Sequence, residues 1–276
     1  MSAHRLRHPW RRLVLAAVAA AAVAAPAAAF ATDSAPSDAR GAGSSAALAD
    51  GPLDAYYEVA VGKTGDGLKS ALHSIISEQT KLSYDEVWDA LKTTDEDPDN
   101  PSNVILIYSG RSQAKGAHGA GADDWNRARM GQEPRRLRHQ HRTGIHHLRP
   151  EDSSVNSTRG NLDFDNGGDP VDQAPGSRSD SDSFEPRDAV KGDVARMILY
   201  MAVRYDGTDS FPDLEPNDQV DNSSAPAMGR LSVLKQWHEA DLPDAFEKAR
   251  NDKIYGIQKN RNPFIDHPEW VTAIWK

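Results

Sequence analysis

The sequence predicts an α+β fold that is mainly helical around a small sheet. Residues 52–91 and 189–205 carry apolar side chains at helical spacing. Between these stretches, residues 103–108 (NVILIY) form a short apolar run, which is typical of a buried strand. Because no other segment predicts a strand as clearly, the core is expected to be built mostly from helices.

A capping box begins the third of three helices predicted within residues 52–91. Ser83 is followed three residues later by Glu86, so each side chain can bond the other's backbone N–H. Residues 93–103 are rich in Asp, Asn and Pro and predict a loop. Further loops are predicted at 110–124, 165–187 and 206–228, and further helices at 229–240 and 243–254.

The composition excludes several kinds of protein. The chain has 276 residues and no cysteine, which excludes a disulfide scaffold, a thiolate zinc site and a cysteine nucleophile. Its formal charge of −9 argues against a protein that holds nucleic acid through a broad positive field. The length allows one large domain or two small ones.

The N-terminus has the pattern of a cleavable export signal. Residues 1–12 contain four arginines and no acid, residues 13–25 are apolar, and small residues follow Pro26. The apolar run is shorter than the roughly 20 residues that span a membrane, so stable membrane association is not expected. We expect residues 1–31 to be removed, which leaves a charge of −13. Residues 32–50 are predicted to be a disordered linker before a domain at 51–276.

Chemistry-bearing residues concentrate in four segments. Within 145–161, neighbouring histidines are followed by arginines and asparagines. Imidazole, guanidinium and amide groups can take a proton, clamp a phosphate and hold a hard cation. Each residue could instead brace a turn or cap a helix. The four segments are 125–127 (WNR), 145–152 (IHHLRPED), 153–164 (SSVNSTRGNLDF) and 258–270 (QKNRNPFIDHPEW).

These segments resemble the bacterial endonuclease I family, whose members are secreted or periplasmic nucleases with little sequence specificity. The resemblance runs from about Tyr56 to Trp275. It is carried by Asn126-Arg127, by residues 145–150 (IHHLRP), 155–161 (VNSTRGN) and 191–197 (KGDVARM), and by residues 258–264 with their Asn-Arg-Asn-Pro-Phe ending.

The resemblance implies a finger of two strands and a helix, a ββα-metal site that holds one Mg²⁺ against the scissile phosphate. Mn²⁺ or Ca²⁺ are alternative ions. A histidine on the first strand would be the general base for water. Asn156, on the helix, takes the place of a metal ligand. DNA, and as an alternative RNA, is the implied substrate, and the protein is expected to be a monomer.

Other candidate residues follow from the same resemblance. Arg159 and Asn161 match positions that brace the finger or approach phosphate. His146 and His147 match a pair on the second strand, which serves more as support for the catalytic site than as the base. Arg127 and Arg149, with Arg159, could form a local cationic cleft for the substrate. The ending from Asn260 to Phe264 is expected to be architectural.

The chain departs from the family pattern at the two positions that would bind the metal and activate water. After Asn-Arg the family carries Glu-His, the metal-binding glutamate and the general base, whereas this chain has Ala128-Arg129. The expected general base near Arg129 is therefore missing. Residues 128–144 hold five arginines and one acid in an otherwise acidic protein. They could be a solvated basic loop that contacts DNA. His139 and His141 are not expected to replace the base.

A change of reading frame explains this segment better than a basic loop. With permitted codons, a shift after Arg127 yields Glu-His-Val-Trp-Ala-Lys-Ser-His-Gly-Asp-Phe-Gly, as in the family. Because the motif resumes at Ile145, a compensating shift must lie near Gly144. Residues 128–144 are thus predicted to be out of frame, through a sequencing error or a genuine double frameshift.

The sequence is compatible with three functions. The first is a secreted, Mg²⁺-dependent endonuclease whose site is damaged in the sequence as written. The second is a catalytically inactive descendant that at most binds nucleic acid or a partner. An exported acidic domain without either role is disfavoured by the matching motifs. The residues at 128–129 in a verified gene distinguish the first two.

Overall fold

The computed structural model describes residues 52–119, 121, 124–129, 144–208, 211–222 and 226–276. All of them belong to one compact unit, Ala49–Lys276. The predicted signal (1–31), the predicted linker (32–50) and most of the segment predicted to be out of frame (128–144) lie outside these residues.

The three helices expected at the start of the domain are present. They are α1 (Pro52–Tyr57), α2 (Gly65–Ser77) and α3 (Tyr84–Thr94), with a short 3-10 helix, Glu58–Ala60, after α1. The capping box is also confirmed, since Ser83 Oγ accepts from Glu86 N and Ser83 N donates to Glu86 Oε2 at 2.7 Å. The helix therefore begins where its sequence indicates.

The region predicted as a loop and then a strand folds differently. It forms an antiparallel sheet of β1 (Glu96–Asp97), β2 (Asn100–Ile105) and β3 (Ser112–Ala114), so the loop prediction for 93–103 is wrong in part. Asp97 Oδ1 accepts from Asp99 N at 2.9 Å, which allows a tight reversal. After Ile105 the chain turns toward β3, and the turn is closed by Leu106 N donating to Arg111 O at 2.9 Å and Gly110 N donating to Leu106 O at 2.8 Å.

A second hairpin leads directly into a helix. Strands β4 (Trp125–Arg129) and β5 (Leu148–Asp152) pair antiparallel, and α4 (Ser153–Arg159) starts at the next residue. This order of two strands and a helix is the arrangement that the family resemblance implies. Residues 130–143, which connect the two strands in the sequence, are not among those described.

The segments predicted as loops at 165–187 and 206–228, together with the residues beside them, contain short strands. Strands of two or three residues need tertiary partners to form, so a sequence pattern does not reveal them. The predicted single small sheet is therefore several small sheets. These strands are β6 (Asp163–Phe164), β7 (Asp169–Pro170), β8 (Arg178–Ser179) and β9 (Ser183–Glu185), in the order β6-β9-β8-β7, and the parallel pair β10 (Glu215–Asn217) and β11 (Ala227–Arg230).

A buried helix, α5 (Lys191–Arg204), forms the centre of the main core. Its residues from Gly192 to Arg204 are all buried, as expected of a helix that is apolar on most sides. Among the described residues, four helices follow α5. The first two agree within a few residues with those predicted at 229–240 and 243–254, and the last two lie where no helix was predicted. The four helices are α6 (Leu231–Ala240), α7 (Ala245–Gln258), α8 (Pro263–Asp266) and α9 (Trp270–Ile274).

Two apolar clusters hold these elements together. The larger surrounds α5 and includes Tyr57, Leu72 and Phe264, while the smaller joins α3, α7 and the hairpin through Leu91, Trp125 and others. The first and last helices also meet, because Tyr57 Oη donates to Asp266 Oδ2 at 2.8 Å and its ring packs edge-on against Trp270. The observed fold is of the predicted mixed α+β class. Among the described residues, the helices are all too short or too polar to cross a membrane.

Candidate active site

The hairpin of β4 and β5 sets the geometry of the site. Asn126 lies opposite Glu151 in the ladder, and position 128 lies opposite Arg149. Residues opposite each other in an antiparallel pair share a face, and residues alternate between faces along a strand. Positions 126, 128, 149 and 151 therefore share one face. This is the face on which the family resemblance places its metal-binding glutamate.

The helix α4 is fixed to the end of this hairpin. Asp152 is its N-cap, and Asp152 Oδ1 accepts from Ser154 N at 2.8 Å. Gly160 ends the helix with φ of 52°, in the left-handed region that favours glycine. Asn156, the predicted metal ligand, is half-buried on this helix. The helix thus holds Asn156 at a fixed distance from the second strand.

Arg159 braces the end of the same helix. Its side chain is fully buried, and Nη1 and Nη2 donate to the carbonyl oxygens of Gly160 and Leu162 at 2.9 and 3.4 Å. The guanidinium also lies over the Phe164 ring, 5.2 Å from its centroid. This placement favours the bracing role that was one of its two expected roles. Asn161, by contrast, is exposed beside the turn, where a substrate could reach it.

The adjacent histidines were expected on the second strand, but they lie just before it. They belong to a 3-10 helix, Ile145–His147, immediately before β5. His146 is buried against the Tyr200 ring, and its Nε2 donates to Asn260 O at 3.2 Å. Burial lowers the pKa of His146 to about 3, so the ring is neutral at physiological pH. His147 packs edge-on against Tyr205. Both positions suit support of the site.

Arg149 belongs to a buried ion network. Its Nη1 donates to Asp193 Oδ2 at 3.0 Å, and its Nε bonds Asp95. Arg250 donates to the same Asp95 carboxylate at 3.1 Å. Burial alone would raise the pKa of Asp95, but the two guanidinium groups outweigh it and hold the pKa below its ordinary value. Because Arg149 is buried and paired with two carboxylates, its position argues against the predicted phosphate contact.

Arg127 lies on the opposite face of the hairpin from Glu151. Its guanidinium lies 3.8 Å from the centroid of the Tyr84 ring and 4.7 Å from that of Trp88. The side chain is largely buried, at 7% exposure. These contacts attach the first strand to α3. The cationic cleft predicted from Arg127, Arg149 and Arg159 is therefore not formed by exposed guanidinium groups.

The segment from Gln258 to Phe264 holds the chain before β5 against the helical core. Gln258 Oε1 accepts from Ile145 N at 2.8 Å. Asn260 Nδ2 donates to Ile76 O and to Tyr200 Oη, both at 2.9 Å. Asn262 caps α8 by accepting from Phe264 N at 3.0 Å. These bonds agree with the architectural role expected of this ending.

Comparison with known proteins decides the family. A profile of the endonuclease I family matches residues 64–269. The chain belongs to the endonuclease I family. It is 58% identical over 230 residues to the extracellular ribonuclease of Bacillus amyloliquefaciens, a match covering 80% of this chain and 78% of that protein. It is 57% identical over 226 residues to the extracellular ribonuclease of Bacillus subtilis strain 168, with the same coverage of both chains.

This endonuclease I chain is therefore an enzyme of the nuclease class. Its hairpin keeps the strand backbone where the family's Glu-His pair is expected, since positions 128 and 129 lie opposite Arg149 and Leu148. The residues at these positions are alanine and arginine. His139 and His141 lie outside the described residues.

Glu151 lies in the segment 145–152, but the sequence predicted no role for it. It is fully buried, and neither carboxylate oxygen has a hydrogen-bond partner among the described residues. Burial raises the pKa of Glu151 to about 8, although the charge of Arg159 opposes the shift. Alternation along 148–152 places Glu151 on the same face as Arg149, but its alignment with position 128 depends on the register of the hairpin, which the sequence does not give.

A divalent ion at this site would have few protein ligands. Within the described parts of the chain, no three or more histidine, aspartate or glutamate side chains lie close enough together to hold a metal. Mg²⁺ often keeps several waters and binds through one or two protein carboxylates. The amide of Asn156 and the unpaired carboxylate of Glu151 are the kinds of oxygen donor that such an ion prefers.

Proposed function

We propose that this chain is a secreted, monomeric nuclease of the divalent-metal-dependent kind, directed at DNA and RNA with little sequence specificity, whose catalytic site lacks the family Glu-His pair in the sequence as written. The family match supports hydrolysis of phosphodiester bonds. The two relatives are named extracellular ribonucleases, which supports both export and RNA as a substrate. The basic and apolar pattern of residues 1–31 supports export independently.

The ββα arrangement of β4, β5 and α4 is the observation that carries this proposal. It places Asn156 on a helix capped at the end of the second strand. A Mg²⁺ ion bound there, or Mn²⁺ or Ca²⁺ in its place, would stabilise negative charge on the phosphate and the leaving oxygen. The buried Arg159 holds the Gly160–Leu162 turn in place, so that the exposed Asn161 is positioned beside the site.

The sequence as written lacks the group that would activate water. Loss of a general base costs about 10²- to 10⁴-fold in rate. Because position 129 holds arginine, we expect little or no Mg²⁺-dependent cleavage by this chain. Loss of the family glutamate at position 128 removes a carboxylate from the same site. The second candidate function, an inactive descendant that binds nucleic acid or a partner, rests on these two residues.

Cleavage assays on three proteins test the proposal. Plasmid DNA and a long RNA are incubated with the mature chain, with the double variant Ala128→Glu/Arg129→His, and with that double variant carrying Asn156→Ala, each with Mg²⁺ or EDTA. We expect EDTA-sensitive cleavage of both substrates by the double variant, and a large loss on adding Asn156→Ala.

One result would contradict the expected loss of activity, and another would contradict the nuclease function itself. Strong EDTA-sensitive cleavage by the unaltered chain would show that its base lies elsewhere. No cleavage by a folded double variant, combined with retention of RNA or DNA in a filter-binding assay, would favour the inactive descendant. Circular dichroism of each variant establishes that the fold is kept.

A further inference from the structure

We propose that Glu151, on the second strand of the hairpin, is the carboxylate ligand of the divalent cation in this chain. This inference rests on the proposed metal-dependent function. The place expected from the family, position 128 on the first strand, holds alanine. Four observations point to Glu151 instead: its face of the hairpin, its burial, its unpaired oxygens and its position relative to α4.

The register of the hairpin brings Glu151 to the correct face. Position 128 lies opposite Arg149, and Glu151 is two residues further along the same strand. Such diagonal neighbours on one face are about 7–8 Å apart at their Cα atoms, within reach of long side chains. A glutamate at 151 can therefore direct its carboxylate toward the space that a ligand from position 128 would reach.

Glu151 and Asn156 occupy two related positions at the start of α4. Asp152 is the N-cap, so Glu151 is the residue before the cap and Asn156 is the fourth residue of the helix. Side chains at these two places commonly pack against each other at helix N-termini. In most helices this contact is between two apolar residues. Here it would join a carboxylate and an amide, which are both oxygen donors to hard cations.

The burial of Glu151 indicates that a partner is needed. Its side chain is fully buried, and among the described residues neither oxygen accepts a hydrogen bond. Burying a carboxyl group without a partner is costly, because it loses its bonds to water. Arg159 is close enough to influence the carboxyl group, but the hydrogen bonds of its terminal nitrogens go to the Gly160 and Leu162 carbonyls. A bound cation would supply the missing partner.

Titration of the protein with Mn²⁺, followed by electron paramagnetic resonance of the free ion, tests this assignment without using activity. The mature chain is compared with Glu151→Gln, which keeps the shape of the side chain but removes its charge. Asp169→Asn, an exposed carboxylate on β7, is the matched control. We expect Glu151→Gln to weaken Mn²⁺ binding at least about 10-fold, and the control to leave it unchanged.

Two further variants and a thermal unfolding measurement complete the experiment. Asn156→Ala is expected to weaken binding as Glu151→Gln does, because both contribute to one site. If Glu151→Gln proves unfolded, Glu151→Asp, which keeps the charge but shortens its reach, replaces it and should also bind Mn²⁺ more weakly. A thermal unfolding scan should show a rise in melting temperature with Mn²⁺ for the mature chain and a smaller rise for the variants.

The outcomes separate this inference from the proposed function. Unchanged Mn²⁺ affinity in Glu151→Gln, with loss in Asn156→Ala, would overturn the role of Glu151 and leave the metal-dependent function standing. Absence of any bound Mn²⁺ in the mature chain would also overturn the inference. Mn²⁺ binding that needs Glu151, without nuclease activity in the restored double variant, would support the inference while the proposed function fails.

Discussion

Arg149 Nη1, on the second strand of the hairpin, donates to Asp193 Oδ2 on α5 at 3.0 Å. The bond links the strand that leads into α4 to the central helix of the core. Asp95, at the end of α3, bonds both Arg149 and Arg250, so the network reaches two further elements. The charged groups in this part of the hairpin therefore fix its position relative to the core.

Removing Arg149 should destabilise the protein strongly. Arg149→Ala would leave Asp193 and the fully buried Asp95 with fewer cationic partners. Breaking a buried ion pair typically costs about 3–5 kcal/mol. We expect a loss of that size in the free energy of unfolding, measured by urea denaturation. Lys92→Ala removes the more exposed Lys92–Asp89 pair and should cost less than about 1 kcal/mol. Equal losses of unfolding free energy in the two variants would show that the buried ion network stabilises the fold no more than an exposed ion pair does.

Gly192 allows α5 to approach the end of α6 closely. A Cβ atom at this position would lie 1.9 Å from the carbonyl oxygen of Asp241. We expect Gly192→Ala to lower the free energy of unfolding by about 1–3 kcal/mol, as overpacking in a core does. In contrast, a Cβ at Gly256 in α7 would meet nothing within 4 Å. Gly256→Ala should therefore be neutral or stabilising. A Gly192→Ala variant as stable as its control would show that the helices can separate at little cost.

The buried His146 should make the protein less stable in mild acid. Its pKa in the folded chain is about 3, whereas an unfolded histidine titrates near ~6.5. Between these values the unfolded chain binds the extra proton, so the contribution to stability is lost as pH falls. Relative to His146→Gln, which does not titrate, the parent should lose about 2 kcal/mol between pH 7 and pH 5. A difference in unfolding free energy that stays constant over this range would contradict the lowered pKa.

The segment from Ala128 to Gly144 is expected to disappear when the gene is verified. Sequencing the codons from Arg127 to Ile145 in genomic DNA should give Glu-His in place of Ala128-Arg129, with the frame recovered near Gly144. The reason is that the segment replaces the expected Glu-His pair and is rich in arginine, whereas the motifs on both sides of it resemble the family. A clean read of the present codons would instead establish a chain that lacks its general base.

Local patterns predicted the helices well because their causes are local. The Ser83–Glu86 capping box depends on residues three positions apart, and it forms as expected. The apolar run in 189–205 likewise produced α5. Short strands could not be predicted, since the pairing of Phe164 with Phe184 is set by packing between distant segments.

The sequence predicted the order of strands and helix at the site, but it did not predict which side chains form ion pairs there. The motifs around Asn156 indicated a ββα unit, and the structure contains one. The surroundings of Arg149 could not be read from spacing, because Asp95 and Asp193 lie 54 and 44 positions away. Glu151 was missed for a different reason. Its importance arises from burial without partners, which a sequence does not display.

The contact between Tyr57 and Asp266 has a consequence for how the chain is made. The two residues are 209 positions apart, and ribosomes add about 5–20 residues per second. Roughly 10–40 seconds of translation therefore separate the appearance of Tyr57 from that of its hydrogen-bond partner. Throughout that interval Tyr57 lacks this partner, so this part of the core can close only after the chain has been synthesised as far as Asp266.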